Sequence, residues 1–140
     1  MKFLFSIAFT FCTVFAFSQS PIGVWKSIDD ATGEERSNVT IYEQNGKIYG
    51  KITKLLAAKP DILCEECSGA KKNKPILGLV IIEDLKAEGG YWKSGKILDP
   101  ENGNVYGCSI WFEEGESDEL KVRGKHWTGF YRTQTWHRVK

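Results

Sequence analysis

Glycines and other turn residues recur about every eight to twelve positions once the first twenty are passed, the spacing of an all-β sandwich or barrel. No stretch of ten or more residues places apolar side chains at i, i+3, i+4 and i+7, so no amphipathic helix competes with that reading. About eight strands joined mostly by short turns predict an antiparallel up-and-down β-barrel, with a two-sheet sandwich as the alternative. Closure removes the unpaired edges that such a meander otherwise leaves open. Eight strands enclose either packed side chains or one small ligand.

The first residues belong to a different object. Six of the eight phenylalanines precede residue 18. Lys2 supplies a positive start, and residues 3–17 are apolar apart from Ser6, Thr10, Cys12 and Thr13. As a helix this run spans about 22 Å, short of a bilayer core of roughly 30 Å. Ala16-Phe17-Ser18 offers the small residues a signal peptidase reads. Residues 1–18 are therefore expected to be a cleaved signal peptide, with residues 19–140 forming one domain exported to a periplasm or secreted. Nothing after residue 20 is apolar over a length that would span a membrane. Without Lys2, acidic and basic residues balance at eighteen each. That leaves no excess of cations to neutralise a run of phosphates, and argues against a dedicated nucleic-acid binder.

The clearest hairpin is Ser37–Leu55. Asn45-Gly46 suits a type I′ turn, in which both central residues take positive φ. That loop pairs Tyr42 with Tyr49, Glu43 with Ile48, Ile41 with Gly50 and Val39 with Ile52. The two tyrosines then share one face, and the isoleucines and valine the other. Residues 57–75 carry Pro60, Pro75, four lysines and two cysteines, and read as a long loop. Residues 77–85 are apolar on both faces near 79–82. Short strands follow at 91–93 and 96–98, and the alternation over 104–113 puts Tyr106, Cys108, Ile110 and Phe112 on one face. In residues 119–124, Leu120 and Val122 point in while Lys121 and Arg123 point out. The last strand, 130–139, sets Phe130, Arg132, Gln134, Trp136 and Arg138 on one face.

Cys64 and Cys67 frame two glutamates, which push a thiol pKa up, against the needs of redox chemistry. In an exported chain they are candidates for a structural disulfide, either with each other or with Cys108. No second Cys-x-x-Cys accompanies them, so no metal is expected. His126 and His137 have no nucleophile motif to serve, and the acidic stretch 113–119 reads as a solvated hairpin tip. No catalytic residue and no cofactor are expected. If Trp136 points into the barrel, Arg132 and Gln134 do too. A guanidinium there either stacks on a tryptophan of the first strand, closing one end, or orients a ligand in an apolar cup. Trp25, Tyr42, Tyr49, Tyr106 and Trp111 are candidates for the walls of that cup.

Gly23-Val24-Trp25 on the first strand, with an arginine on the last, resembles the calycin, or lipocalin-like, barrels. A longer set of strings is more specific: Gly46-Lys-Ile-Tyr-Gly-Lys-Ile52, residues 95–106 (GKILDPENGNVY), Leu120-Lys-Val-Arg-Gly124 and Arg132-Thr-Gln-Thr-Trp136. These resemble domain-of-unknown-function family 2147, small exported bacterial proteins, over roughly residues 22–139. The resemblance implies a calycin-like barrel and carries no catalytic residue over. It departs at Lys125, where an aromatic is expected, and at Gly129-Phe-Tyr before Arg132. The resulting expectation is a monomeric module that holds a small, partly apolar ligand through Trp25, Tyr42, Tyr49, Tyr106, Arg132, Gln134 and Trp136. One alternative is an envelope module whose outer face, with Trp111, Lys121 and Arg123, meets a protein or glycan. Another is a thiol redox protein using Cys64 and Cys67.

Overall fold

The structure is a computed structural model that describes Thr10 and residues 19–140. Apart from Thr10, the expected signal peptide lies outside the described residues. Eight strands run in chain order: β1 (Gly23–Ile28), β2 (Glu35–Gln44), β3 (Lys47–Leu55), β4 (Val80–Glu88), β5 (Tyr91–Leu98), β6 (Val105–Trp111), β7 (Glu119–Lys125) and β8 (Tyr131–Arg138). Each pairs antiparallel with the next, and β8 returns to β1 through Trp25 with Arg138 and Lys26 with His137. The sheet is a closed barrel, one of the two architectures the turn spacing allows, and the sandwich alternative falls away. The one helical piece among the described residues is a 3₁₀ turn, Gly69–Lys71. No helix there is long and apolar enough to cross a membrane.

The β2–β3 register follows from the Asn45-Gly46 turn, whose residues both take positive φ. Val39, Ile41, Ile48 and Ile52 face inward and are buried. Gly50 lies opposite Ile41, where a Cβ would come 3.1 Å from Ile82 and 3.2 Å from Val39. Two strands depart from simple alternation. A register shift between Gly50 and Lys51 lets the consecutive residues Ile81 and Ile82 both be covered. In β5, Ser94 takes φ 63° at an irregularity in the pairing with β6, so 91–93 and 96–98 form one bulged strand rather than two.

The connections alternate between the two ends of the barrel. The β2–β3, β4–β5 and β6–β7 turns, the start of β1 and the end of β8 crowd one end. Trp25 fills it, fully buried, with Phe112 at 5.8 Å and its Nε1 donating to the Pro21 carbonyl at 2.8 Å. Arg138 lies over the Trp25 ring at 4.2 Å. Its guanidinium donates to the carbonyls of Ser20, Ile22 and Ser117, tying the approach to β1 to the β6–β7 turn. Ile41, Ile48, Leu85, Ile110 and Leu120 complete a packed lower core. Burial of each such side chain contributes on the order of 1.5–3 kcal/mol.

The opposite end carries the β1–β2, β3–β4, β5–β6 and β7–β8 connections. The longest, residues 56–79, holds the disulfide Cys64–Cys67, with Cα atoms 5.3 Å apart. Leu63 bridges Pro75 and folds the loop onto itself. The pairing with Cys108 does not form. That residue is free and buried on the inner face of β6, between Gly95 and Gly124 in the cross-strand rows, and burial pushes its thiol up to about 12.

Candidate functional site

Above the packed lower core the barrel is hollow. A cavity of about 400 Å³ opens among the loops of the upper end. Its apolar walls come from inward positions of five strands: Ile52, Ile81, Ile97, Val122 and Trp136. Small residues make the space. Gly124 stands on β7 where an isoleucine or leucine would project inward, and a Cβ there would meet Tyr106 only at 3.4 Å. Ser27 and Ser37, a buried cross-strand pair, take the inward positions above Trp25 and Val39. Their hydroxyls satisfy each other at 2.9 Å, which allows two polar groups to sit in the wall.

Gln134 and Trp136 sit two apart on β8, and the indole Nε1 donates to the Gln134 Oε1 at 2.8 Å. The amide carbonyl is thereby occupied, and Gln134 forms part of the cavity lining. Tyr106 lines the cavity from β6, 6.3 Å from the His126 ring.

The rim is charged and largely self-paired. Arg132 holds Asp30 through two hydrogen bonds, Nε to Oδ2 at 3.0 Å and Nη2 to Oδ1 at 2.6 Å. Arg36 binds Glu34 at 2.7 Å and also meets Glu101. The β1–β2 and β5–β6 turns share one design. Asp29 and Asp99 each open a turn closed by a glycine at positive φ, Gly33 and Gly103, whose N–H donates back to the aspartate carbonyl at 2.8 Å. The two carboxylates diverge all the same. Backbone N–H groups of Thr32 and Ala31 hold Asp29 below the ordinary carboxylate range, whereas burial pushes Asp99, in the cavity wall, upward.

Of the residues expected to form the cup, Tyr106, Arg132, Gln134 and Trp136 line the cavity. The others stand elsewhere. Trp25 points inward but lies at the packed end, beneath the cavity. Tyr42 and Tyr49 are stacked on the outer face, centroids 5.8 Å apart, with the Tyr49 hydroxyl donating to Asp84 at 3.0 Å. Their opposition to the inward isoleucines makes this unavoidable, because neighbours along a strand face opposite ways. Trp111 is also outside, where Arg123 stacks between it and Tyr131 at 4.8 and 4.1 Å. The arginine that closes the barrel over a tryptophan is Arg138, whereas Arg132 sits at the open rim with a 65% exposed side chain. Ser27, Ser37, Asp99, His126 and Phe130 belong to the lining as well. The serines were legible as positions two residues from Trp25 and Val39. Phe130 was legible as sharing the face of Trp136, whereas Asp99 and His126 carried no signal beyond turn composition.

An antiparallel eight-stranded barrel, packed at one end and hollow at the other, is a lipocalin-like fold. A solved structure described as "Protein HP1028 from the human pathogen Helicobacter pylori belongs to the lipocalin family" matches it with a TM-score of 0.75 and 20% identity, over 88% of this chain and 85% of that one. At that identity the likeness is one of fold. The chain itself belongs to the family described as "Uncharacterized protein conserved in bacteria (DUF2147)", whose profile matches residues 23–138. No curated protein matches it.

Proposed function

We propose that this protein is a binding module, not an enzyme, and that it holds one small, partly apolar molecule in the upper half of its barrel. The observation that carries this reading is the cavity of about 400 Å³ walled by aliphatic side chains and Trp136, a size and lining usual for ligand sites. Burial against Ile52, Ile81, Ile97 and Val122 supplies affinity. The Gln134 amide and the Tyr106 hydroxyl supply orientation. Arg132, already held by Asp30, shapes the rim rather than capturing a charge in the depths.

The Cys64–Cys67 disulfide supports export to an oxidising compartment. Both residues are buried, at 0% and 3% exposure, which favours a staple for the long loop over thiol exchange, since exchange needs an accessible sulfur.

Titration with the neutral apolar fluorophore N-phenyl-naphthylamine tests the reading. The parent protein is expected to enhance its emission with one site per chain. Gly124→Leu, which fills the cavity from its wall, is expected to abolish that enhancement while leaving the circular dichroism unchanged. Equal enhancement by both proteins places the probe elsewhere and defeats the proposal.

A further inference from the structure

The β7–β8 hairpin ends in a turn whose aromatic side chains stand mostly in solvent, Trp127 with the His126 ring 5.4 Å away and Phe130 at the mouth of the cavity. Trp127 is 88% exposed and Phe130 82%. The turn is closed by its own hydrogen bonds, Gly129 N–H to the His126 carbonyl at 2.9 Å and His126 N–H to the Phe130 carbonyl at 2.7 Å. The closed turn keeps most of both rings in solvent. Two large exposed aromatics at one tip cost solvation with little compensation in the fold, and rings of this kind are favoured at membrane–water interfaces.

The surroundings of the tip name the partner. The chain as a whole is nearly neutral, yet residues 120–140 contain six Lys and Arg and no Asp or Glu. On the outer face below the tip, Lys96, Gly107, Lys125 and Tyr131 form one cross-strand row, and Ser109, Arg123 and Thr133 the next. The acid that continues the first row, Glu83, is held by Lys71 at 3.3 Å. Asp30, Glu34 and Glu101 on the neighbouring loops are paired with Arg132 and Arg36. A projecting aromatic tip above a shelf of cations is complementary to a surface with an apolar interior and anionic headgroups. A glycan would instead need a flat aromatic platform, which a projecting turn does not offer.

We infer that the Trp127–Phe130 tip and the cationic outer face of β7 dock the protein on an anionic lipid bilayer. Trp127 and Phe130 enter the headgroup boundary, while Lys96, Arg123 and Lys125 lie against the lipid phosphates.

Flotation with vesicles tests this on the chain beginning at Gln19, which holds every strand of the barrel and lacks the apolar leader that would itself enter lipid. The protein is expected to float with vesicles of equal parts phosphatidylcholine and phosphatidylglycerol, to stay behind with phosphatidylcholine alone, and to be released by raised ionic strength. Trp127→Ser with Phe130→Ser is expected to weaken the association about tenfold or more. Lys96→Glu with Lys125→Glu is expected to weaken it comparably. Both variants alter exposed positions, and their unfolding transitions are expected to match the parent, which shows that the loss is not one of folding. Any of three results overturns the inference: no binding to the anionic vesicles, equal binding to neutral ones, or binding that neither variant changes. Retention on a soluble polyanionic glycan or on a protein, without flotation, also overturns it and assigns the surface to that partner.

Discussion

Arg138 shows how much one residue does at the packed end. It covers the Trp25 ring, donates to three carbonyls on two segments of chain and pairs with Asp118 at 3.4 Å. Gly23 makes the stack possible, since a Cβ there would come 2.8 Å from the Arg138 Nη1 and its φ of 143° disfavours other residues. Arg138→Ala is expected to cost about 2–3 kcal/mol in denaturant unfolding, from the lost cation–π contact and charge-assisted hydrogen bonds. Arg138→Lys is expected to restore less than half, because an ammonium cannot reach the same fork of acceptors. Full restoration by lysine would mean that charge alone, not planar stacking, closes this end.

Asp99 is the residue at which stability and the cavity meet. Burial raises its pKa above 3.8, so its protonated form favours folding. That contribution is full below the ordinary carboxylate value and is lost as pH rises through the higher folded value. Asp99→Asn keeps an oxygen for the Glu101 N–H, which the carboxylate accepts at 2.9 Å. The variant is expected to melt at a higher temperature than the parent near pH ~7, and the difference is expected to vanish near pH ~3. A lower melting temperature at neutral pH would show that the charge of Asp99 is used by the fold.

At the scale of elements, the long β3–β4 loop and the β5–β6 turn form one unit. Gly103 takes φ 74° and lies so close to the Glu66 carbonyl that no side chain fits. Gly103→Ala is expected to destabilise by about 1–3 kcal/mol, and thermal unfolding is the measure. In the chain-entropy picture the Cys64–Cys67 bridge contributes about 2 kcal/mol, because the ring it closes is small. Reduction is therefore expected to lower the melting temperature modestly and leave the barrel folded. Cys108 is expected to resist alkylation until global unfolding, its thiol being buried and its pKa pushed up to about 12.

The same elements mark what could be read from the residues and what could not. The β2–β3 hairpin was legible to the individual pair because Asn45-Gly46 fixes the turn and alternation does the rest. β5 was not, since Ser94-Gly95 reads as a break between two short strands and only the pairing with its neighbours shows it to be a bulge within one. The disulfide partner was open among three cysteines because pairing depends on where the long loop lies, and that is decided by tertiary contact. On β8 the period of two identifies the inward face but not the height along the barrel axis. Arg132 and Arg138 therefore look equivalent in sequence, though one stands at the rim and the other under Trp25. The outward placement of Tyr42 and Tyr49 was already implied by their register opposite buried isoleucines, and only their aromatic character drew them toward the cavity.

For the molecule as a whole, the division of the barrel into a packed half and a hollow half is the feature on which the proposed function rests. Large side chains (Trp25, Leu85, Ile110, Leu120) fill one half, whereas Ser27, Ser37 and Gly124 occupy inward positions of the other. A protein that needed only a stable core would place aliphatic side chains there, each contributing on the order of 1.5–3 kcal/mol. The central claim is that this space is kept for a guest. Native mass spectrometry of the protein purified from its own organism tests it most directly. The account predicts a population carrying the mass of one small molecule, lost on gentle activation and absent from Gly124→Leu prepared in the same way. The bare chain mass from the parent, together with no adduct when apolar extracts of that organism are added back, would contradict it.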